Sequence, residues 1–207
     1  MLGLFFILLI GVAVMSVFFF TQARKMEQRQ LPGGGPPGFA NQPNRLLTDG
    51  SGERNALNMQ VKDIVSHYGD DYIVEGRLDY WEDGDTWVNY MLVDGDRTIW
   101  LNAEDDDRLE VSLWEDVDDL HVTETPPPRE LQYMGQTFYM KGAGTARVAR
   151  QGRTGSKNAV SVDYFDYRSD GPDMLSIENW NGDIEISRGT PIDPVDLDIL
   201  PGDLSDY

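Results

Sequence analysis

The sequence predicts a mainly β protein in which two related, small antiparallel units, each barrel-like or a sandwich, follow one N-terminal transmembrane helix. Three observations lead to this prediction: a long charge-free apolar segment, short aromatic and β-branched runs separated by Gly/Asp turns, and the return of the same pattern in the second half. The expected segments are an anchor (1–23), a flexible linker (24–59), a first β unit (60–125) and a second β unit (126–207), with residues 60–207 forming one cooperative body.

The anchor is predicted from residues 2–20, which contain no charged side chain. A helix of this length rises about 28 Å, close to the ~30 Å hydrocarbon core of a bilayer. A cleaved signal peptide is the alternative, but its basic start is missing here and the apolar run is longer than a signal core. Because Arg24, Lys25 and Arg29 follow the span, the positive-inside rule predicts a cytoplasmic body. The absence of cysteine fits a reducing compartment.

The linker is predicted from its Pro and Gly content. Residues 31–38 read Leu-Pro-Gly-Gly-Gly-Pro-Pro-Gly, a run that favours neither a helix nor a strand. The rest of 24–59 has few apolar residues, so we expect a tether between the membrane and the body.

The body has the periodicity of strands. Runs such as 72–74, 87–93, 98–101 and 109–114 are short, aromatic and β-branched. Asp94-Gly95 between two of them is a strong hairpin signal, because Gly adopts positive φ without a steric cost. No long segment of the body shows a convincing helical stripe, so the strands are expected to form hairpins.

The second half repeats the pattern of the first. Trp100–Glu104 resembles Met174–Glu178, and Leu109–Ser112 resembles Ile184–Ser187. Three prolines, 126–128, fall between the copies, where a stiff connector is expected. Each copy alone buries a marginal core, so we expect the two to pack together.

The charge of the chain is strongly negative. The net charge is −19, and residues 60–125 contain 20 acids against 4 bases. Such a surface repels nucleic acid and anionic lipid, so nucleic acid is excluded as a partner. It attracts basic proteins, polyamines or divalent cations, although solubility alone also accounts for such a composition.

The usual signatures of catalysis are missing. There is no cysteine, no Gly-x-Ser-x-Gly elbow and no phosphate-binding glycine loop, and the two histidines, His67 and His121, lie in turn-like sequence. The acidic run 104–107 lacks the spacing of an EF-hand loop and is expected to be a solvated turn. No catalytic, cofactor-binding or metal-binding residue is therefore predicted. A metal-dependent binder or a hydrolase that uses acidic turns is the alternative.

One basic stretch stands out in this acidic body. Residues 141–157 contain five cations and no acid, and their glycines indicate that part of the stretch is a mobile loop. The five tryptophans are expected in the core, with a binding groove as the alternative, and Trp180 at a turn is expected to be the most exposed. The predicted contact residues for a partner or a lipid are Lys141, Arg147, Arg150, Arg153, Lys157 and Trp180.

Several strand and turn motifs resemble a bacterial family known as domain of unknown function 4178. They are Val61–Val65, Tyr72–Gly76, Leu109–Trp114, Pro127–Arg129, Gly144–Ala146 and Leu175–Trp180. The resemblance covers about 60–200, and its motifs are strand cores and turns rather than a catalytic signature. Where the family often has Val-Gly-Asp, this chain has Lys62 in place of the glycine. The resemblance implies an accessory role linked to membrane stress, without a reaction.

Together these observations predict a membrane-tethered, non-enzymatic interaction module. The expected location is the cytoplasmic face of the cell membrane, held by a single span, and the expected partner is a protein. No cofactor is expected.

Overall fold

The computed structural model of the protein describes residues 54–155 and 159–202, and these residues form an almost entirely β structure. In chain order their strands are β1 (Ile64–His67), β2 (Asp70–Glu82), β3 (Asp85–Asp94), β4 (Arg97–Asp106), β5 (Arg108–Asp116), β6 (Glu130–Tyr133), β7 (Gln136–Gly152), β8 (Ser161–Arg168), β9 (Met174–Trp180), β10 (Asp183–Ile192) and β11 (Leu197–Leu200). A single 3₁₀ turn (Pro194–Asp196) separates β10 from β11. The prediction of a mainly β body is confirmed.

Eight strands close into one antiparallel barrel, in the order β2, β3, β4, β5, β10, β9, β8, β7 and back to β2. Strands β1 and β11 extend the sheet beyond β2, and β6 extends it beyond β7. The expectation of two separate barrel-like or sandwich units is corrected here, because β2 pairs with β7 and β5 pairs with β10 across the two halves. Neither half closes on itself, so the barrel forms only when the strands of both halves pair.

The internal repeat corresponds to matching strands. The segments 100–104 and 174–178 lie on β4 and β9, and the segments 109–112 and 184–187 lie on β5 and β10. Each half supplies one short strand, one long strand with a β-bulge, and three further strands, as β1–β5 and β6–β10. The bulges bend β2 and β7, so that each strand begins in a side sheet and continues into the barrel wall.

The outer face of β2–β5 is apolar and covered. Val88, Tyr90 and Leu92 alternate along β3 and pack in one cluster with Ala56 and Met59. Residues 54–59 were expected to belong to the linker, and that boundary is wrong. Ala56 and Met59 are buried against the barrel wall, because the wall needs an apolar cover on this side.

The buried carboxylate of Asp63 holds both ends of this cover. Its Oδ2 accepts a hydrogen bond from Gln60 N at 2.7 Å and forms an ion pair with Arg54 Nε at 2.8 Å. Its Oδ1 accepts a hydrogen bond from Gly202 N at 2.9 Å. The residues before β1 and after β11 are therefore fastened to the same side chain.

The outer face of β8–β10 is covered in the same manner. Leu175, Ile177 and Ile186 point away from the barrel axis and pack against Leu131 of β6 and against the connection between β5 and β6, through Val117, Leu120 and Val122. Both outer faces are thus removed from water, which leaves the opposite face of each strand to line the barrel interior.

The predicted anchor (1–23) and the linker up to residue 53 lie outside the described residues. Within 54–155 and 159–202, no helix has the length and apolar character that crossing a membrane requires.

Candidate functional site: the barrel lumen

The barrel interior contains a cavity of about 990 Å³ that is partly open to solvent. Residues from all eight barrel strands line it, and aromatic rings and carboxylates dominate the lining. The aromatic residues that line it are Tyr80, Trp87, Trp100, Trp114, Tyr139, Tyr164 and Tyr167. Small-ligand sites in proteins have this volume and this combination of large apolar surface with a few polar groups.

The lining is built from rows of inward-facing side chains that neighbour one another across the strands. In the first half of the chain, Trp87 of β3 pairs with Glu104 of β4, which pairs with Glu110 of β5. A second row, on β8, β9 and β10, repeats this arrangement from Tyr164 through Glu178 to Glu185. Each half therefore contributes one aromatic ring followed by two facing glutamates.

The two rows meet at their aromatic ends. The rings of Trp87 and Tyr164 make an edge contact with centroids 5.6 Å apart, and Tyr80 stacks on Trp87 at 5.1 Å. From this contact the first row runs across β4 to β5 and the second across β9 to β10, and β5 and β10 are neighbours in the barrel. The lumen wall thus contains contacting aromatic rings and two facing glutamate pairs.

The carboxylate of Glu178 accepts two side-chain hydrogen bonds at the cavity wall. Its Oε2 accepts a hydrogen bond from Trp180 Nε1 at 3.1 Å, and its Oε1 accepts one from the Tyr80 hydroxyl at 3.3 Å. The Tyr80 oxygen in turn accepts a long hydrogen bond from Asn89 Nδ2 at 3.4 Å. These contacts fix the position of the Glu178 carboxylate at the cavity wall.

The environment of Glu178 disfavours its charged form. Its pKa is raised from 4.5 to about 8, chiefly by burial and then by the nearby carboxylates Glu185 and Asp166, while the hydrogen bonds from Tyr80 and Trp180 act in the opposite direction. The side chain is half-buried because it borders the cavity, so its contact with water is through the lumen. A carboxyl group whose pKa is this far from its usual range is a marker of a functional site.

Polar contacts continue along the lumen wall. Asn102 Nδ2 donates to Asn89 Oδ1 at 2.8 Å, and Ser176 Oγ donates to Asp166 Oδ1 at 2.9 Å. The barrel interior is therefore not a sealed apolar core, and its polar groups are held in defined positions.

Trp114 is accommodated by a glycine on the next strand. A Cβ atom at Gly189 of β10 would lie 2.5 Å from the Trp114 ring, so only glycine leaves room for the indole at this position. Trp114 Nε1 donates to Ser112 Oγ at 2.7 Å, which orients the ring along the cavity wall.

The cavity lining carries a net negative charge. Eight acidic side chains line it against three basic ones, Arg108, Lys141 and Arg168. Burial lowers the pKa of Arg168, while the neighbouring Asp166 and Glu110 partly compensate this effect. The lumen therefore favours ligands with positive charge.

The predicted contact residues do not form one surface. The segment 141–152 belongs to β7, the longest strand among the described residues, so this part of the stretch is barrel wall rather than loop. Lys141 lines the lumen, whereas Arg147 faces outward and is exposed. Arg150 points inward, donates to Ala159 O at 2.5 Å and lies 5.1 Å from the Trp180 ring. Arg153 forms an ion pair with Glu75. Lys157 lies outside the described residues.

The prediction that Trp180 is exposed is wrong. Its side chain is only 1% accessible, in the inner cluster with Leu78 and Val162. The turn was located correctly, since Asn181 and Gly182 have positive φ values of 59° and 104°. Trp180 itself, however, is the last residue of β9, and the alternation of that strand turns its ring into the barrel.

The sequence interpretation missed the four lumen glutamates. Glu104 was expected in a solvated turn, but it lies within β4 and lines the cavity. A signal was present, because the repeat aligns Glu104 with Glu178 and Glu110 with Glu185. Paired positions that stay acidic in both copies could have indicated a shared inner face.

The described parts of the chain show no metal centre. Within 54–155 and 159–202, no three His, Asp or Glu side chains converge as metal ligands. The acidic turns proposed in the alternative interpretation therefore lack such a cluster in the described residues.

The comparisons with known proteins bear on the family. Residues 60–194 match the family described as Domain of unknown function (DUF4178). The chain belongs to this family. The uncharacterized proteins Mb2628 of Mycobacterium bovis and Rv2597 of Mycobacterium tuberculosis are each 33% identical to it over 146 residues, which cover 67% of this chain and 69% of the relative. No solved structure matches the chain significantly.

Proposed function

We propose that this DUF4178 protein is a non-enzymatic binding module whose barrel takes up a small organic cation with an apolar body. The observation on which this rests is the cavity of about 990 Å³, whose lining combines seven aromatic rings with an excess of carboxylates. The interaction role expected from the sequence is retained, but the proposed contact is the lumen rather than the basic stretch 141–157.

The chemistry of the lining selects this class of ligand. Ammonium groups are attracted to the faces of Trp and Tyr rings by about 0.5–2 kcal/mol, and more where water is excluded. Carboxylates supply the opposite charge, and the apolar faces of Trp87 and Trp100 suit an alkyl chain. Anions would meet eight acidic side chains, so nucleic acids and free phosphates are disfavoured.

The membrane anchor remains part of the proposal. It is supported by the charge-free residues 2–20 and by the cations that follow them. In this arrangement the barrel binds its ligand at the cytoplasmic face of the membrane and presents the loaded state to a protein partner, a role that agrees with an accessory function in membrane stress. Protease added to intact cells should spare the barrel, and release of a shortened soluble protein would contradict the anchor.

Binding is tested with the full-length chain in a non-ionic detergent. Titration with n-butylammonium or tetramethylammonium should change the tryptophan emission, because the rings that line the cavity report on its content. Neutral n-butanol at equal concentration controls for apolar binding. Glu178→Gln should weaken cation binding about tenfold, whereas Glu124→Gln, a change at an exposed position outside the barrel, should leave it unchanged. Equal responses to n-butanol and n-butylammonium would refute the proposal.

A further inference from the structure

We propose that Met134 is an oxidation site, and that its sulfoxide oxygen accepts a hydrogen bond from Arg188 that fastens the loop 169–173. Met134 lies in the two-residue turn between β6 and β7 and is not part of the cavity lining. This inference goes beyond the proposed function and does not depend on which ligand the lumen takes up.

Methionine is an unexpected residue in this turn. Met134 and Gly135 both have positive φ values, 48° and 75°, a conformation that favours Gly, Asn and Asp. The Met134 side chain is 68% exposed, so burial does not compensate for the steric cost. Packing therefore does not account for a thioether here, and a backbone outlier of this kind is a reason to look for a function.

Exposure makes Met134 accessible to an oxidant. Of the five methionines that the structure describes, Met59, Met91 and Met174 are buried and Met140 is partly buried. With hydrogen peroxide, a lone pair of Sδ attacks one peroxide oxygen, the O–O bond breaks, and the other oxygen leaves as water with both protons. The sulfur is oxidised by two electrons and the peroxide is reduced by two, and sulfoxide reductases reverse the change.

The guanidinium of Arg188 is placed to recognise the product. Its Nη1 lies 3.9 Å from Met134 Sδ, which is only a weak acceptor. Its Nη2 donates to Asp173 Oδ1 at 2.8 Å. A sulfoxide oxygen is a much stronger acceptor than a thioether, and a different nitrogen holds Asp173. The new hydrogen bond can therefore form without loss of the ion pair with Asp173.

Asp173 connects Arg188 to the loop 169–173. Its Oδ2 accepts a hydrogen bond from Gln136 Nε2 at 2.8 Å, and its backbone oxygen accepts one from Ser169 N at 3.0 Å. Residues 169–172 line the cavity. Oxidation of Met134 would therefore fasten a part of the cavity wall through Arg188 and Asp173.

Mass spectrometry tests whether Met134 is the reactive position. The full-length chain in a non-ionic detergent is treated with dilute hydrogen peroxide, and the tryptic peptide 130–141, which contains both Met134 and Met140, is sequenced by fragmentation. Met134 should be oxidised about tenfold faster than Met140 in the folded chain, because susceptibility follows exposure. In urea the two rates should become equal, which controls for intrinsic reactivity.

Hydrogen exchange of the loop 169–173 measures the fastening. Peroxide treatment should slow its amide exchange about fivefold, because opening of the loop must then also break the bond from Arg188 to the sulfoxide. Met134→Leu, treated in the same way, forms no sulfoxide at this position and accounts for oxidation elsewhere in the chain. Arg188→Lys keeps a positive charge for Asp173 but lacks the second arm of the guanidinium, so peroxide should not slow the exchange in this variant.

Met134→Gln tests the fastening without an oxidant. Its amide oxygen is an acceptor in place of the sulfoxide oxygen, so the loop should exchange more slowly than in Met134→Leu. The oxidation site is refuted if Met134 and Met140 react at equal rates in the folded chain. The fastening of the loop is refuted if oxidation of Met134 leaves the exchange unchanged, if Arg188→Lys shows the same slowing, or if the Gln and Leu variants exchange equally fast.

Discussion

Replacing Glu178 by Gln should stabilise the folded chain at alkaline pH while it weakens ligand binding. The Glu178 carboxyl has a pKa of about 8 in the fold, against an ordinary value of 4.5. Between these two values the unfolded chain has released the proton and the folded chain still holds it, so stability falls as pH rises through this window. Gln does not titrate, and the variant should escape this loss.

The magnitude follows from the same two values. A difference between 4.5 and about 8 corresponds to at most roughly 5 kcal/mol. Because Glu178 borders the cavity and keeps contact with water there, we expect about 2 kcal/mol of relative stabilisation at pH 8.5 and almost none near pH 4.5. Gln can still accept the hydrogen bond from Trp180 Nε1, so the fold should persist.

Urea unfolding, followed by tryptophan fluorescence, measures the free energy of unfolding of both proteins at the two pH values. Glu185→Gln should lower the apparent pKa of Glu178, since Glu185 is a carboxylate that raises it. The reasoning is refuted if the difference in stability between Glu178→Gln and the parent chain is the same at pH 4.5 and pH 8.5.

Other predictions concern packing, buried charge and linkage. Gly189→Ala should lower the free energy of unfolding by about 1–3 kcal/mol, because the new Cβ would meet the Trp114 ring. Gly171→Ala is the control, since a Cβ there has 3.6 Å of clearance. Equal losses of melting temperature in the two variants would contradict this prediction. Arg77→Met should lower the free energy of unfolding by about 3–5 kcal/mol, because it leaves Asp79, its buried partner at 2.6 Å, without a counter-charge. Adding Asp79→Leu should restore most of the lost stability, as measured by urea unfolding. Cation binding should strengthen as pH rises from 6 to 9, because Glu178, whose pKa is about 8, must release its proton when the ligand binds at lower pH. Calorimetry near pH 6 in buffers of different ionisation enthalpy would show no such release if the carboxylates were already ionised.

The hairpins within each half were predictable from the sequence, but the pairing between the halves and the closure of the barrel were not. Asp94-Gly95 and the short apolar runs define hairpins between neighbouring strands, and β3 and β4 pair as this signal predicts. The pairing of β2 with β7 joins residues that are about 70 positions apart, and local periodicity contains no information on such contacts. The repeat indicated two related units, whereas their edges pair with each other.

The sequence pattern also did not show which face of each strand points into the barrel and which points outward. Alternation along β3 separates Val88 and Tyr90 from Trp87 and Asn89, but the first set is buried and the second is only partly exposed. The apolar set is buried outside the barrel by covering segments, and the mixed set lines the cavity. The candidate site was therefore missed, because a strand pattern tells which residues share a face and not what that face encloses.

The fastening of both ends at Asp63 has a mechanical consequence. Arg54 and Gly202 contact the same carboxylate, and β11 pairs only with β1 beside it. A pulling force applied between residues 54 and 202 would load these bonds one after another, as in the opening of a zipper, rather than all together in shear. The short β1–β11 ladder should therefore yield at low force while the barrel and its lumen stay closed. A stretched tether could in this way be lengthened without loss of the bound ligand.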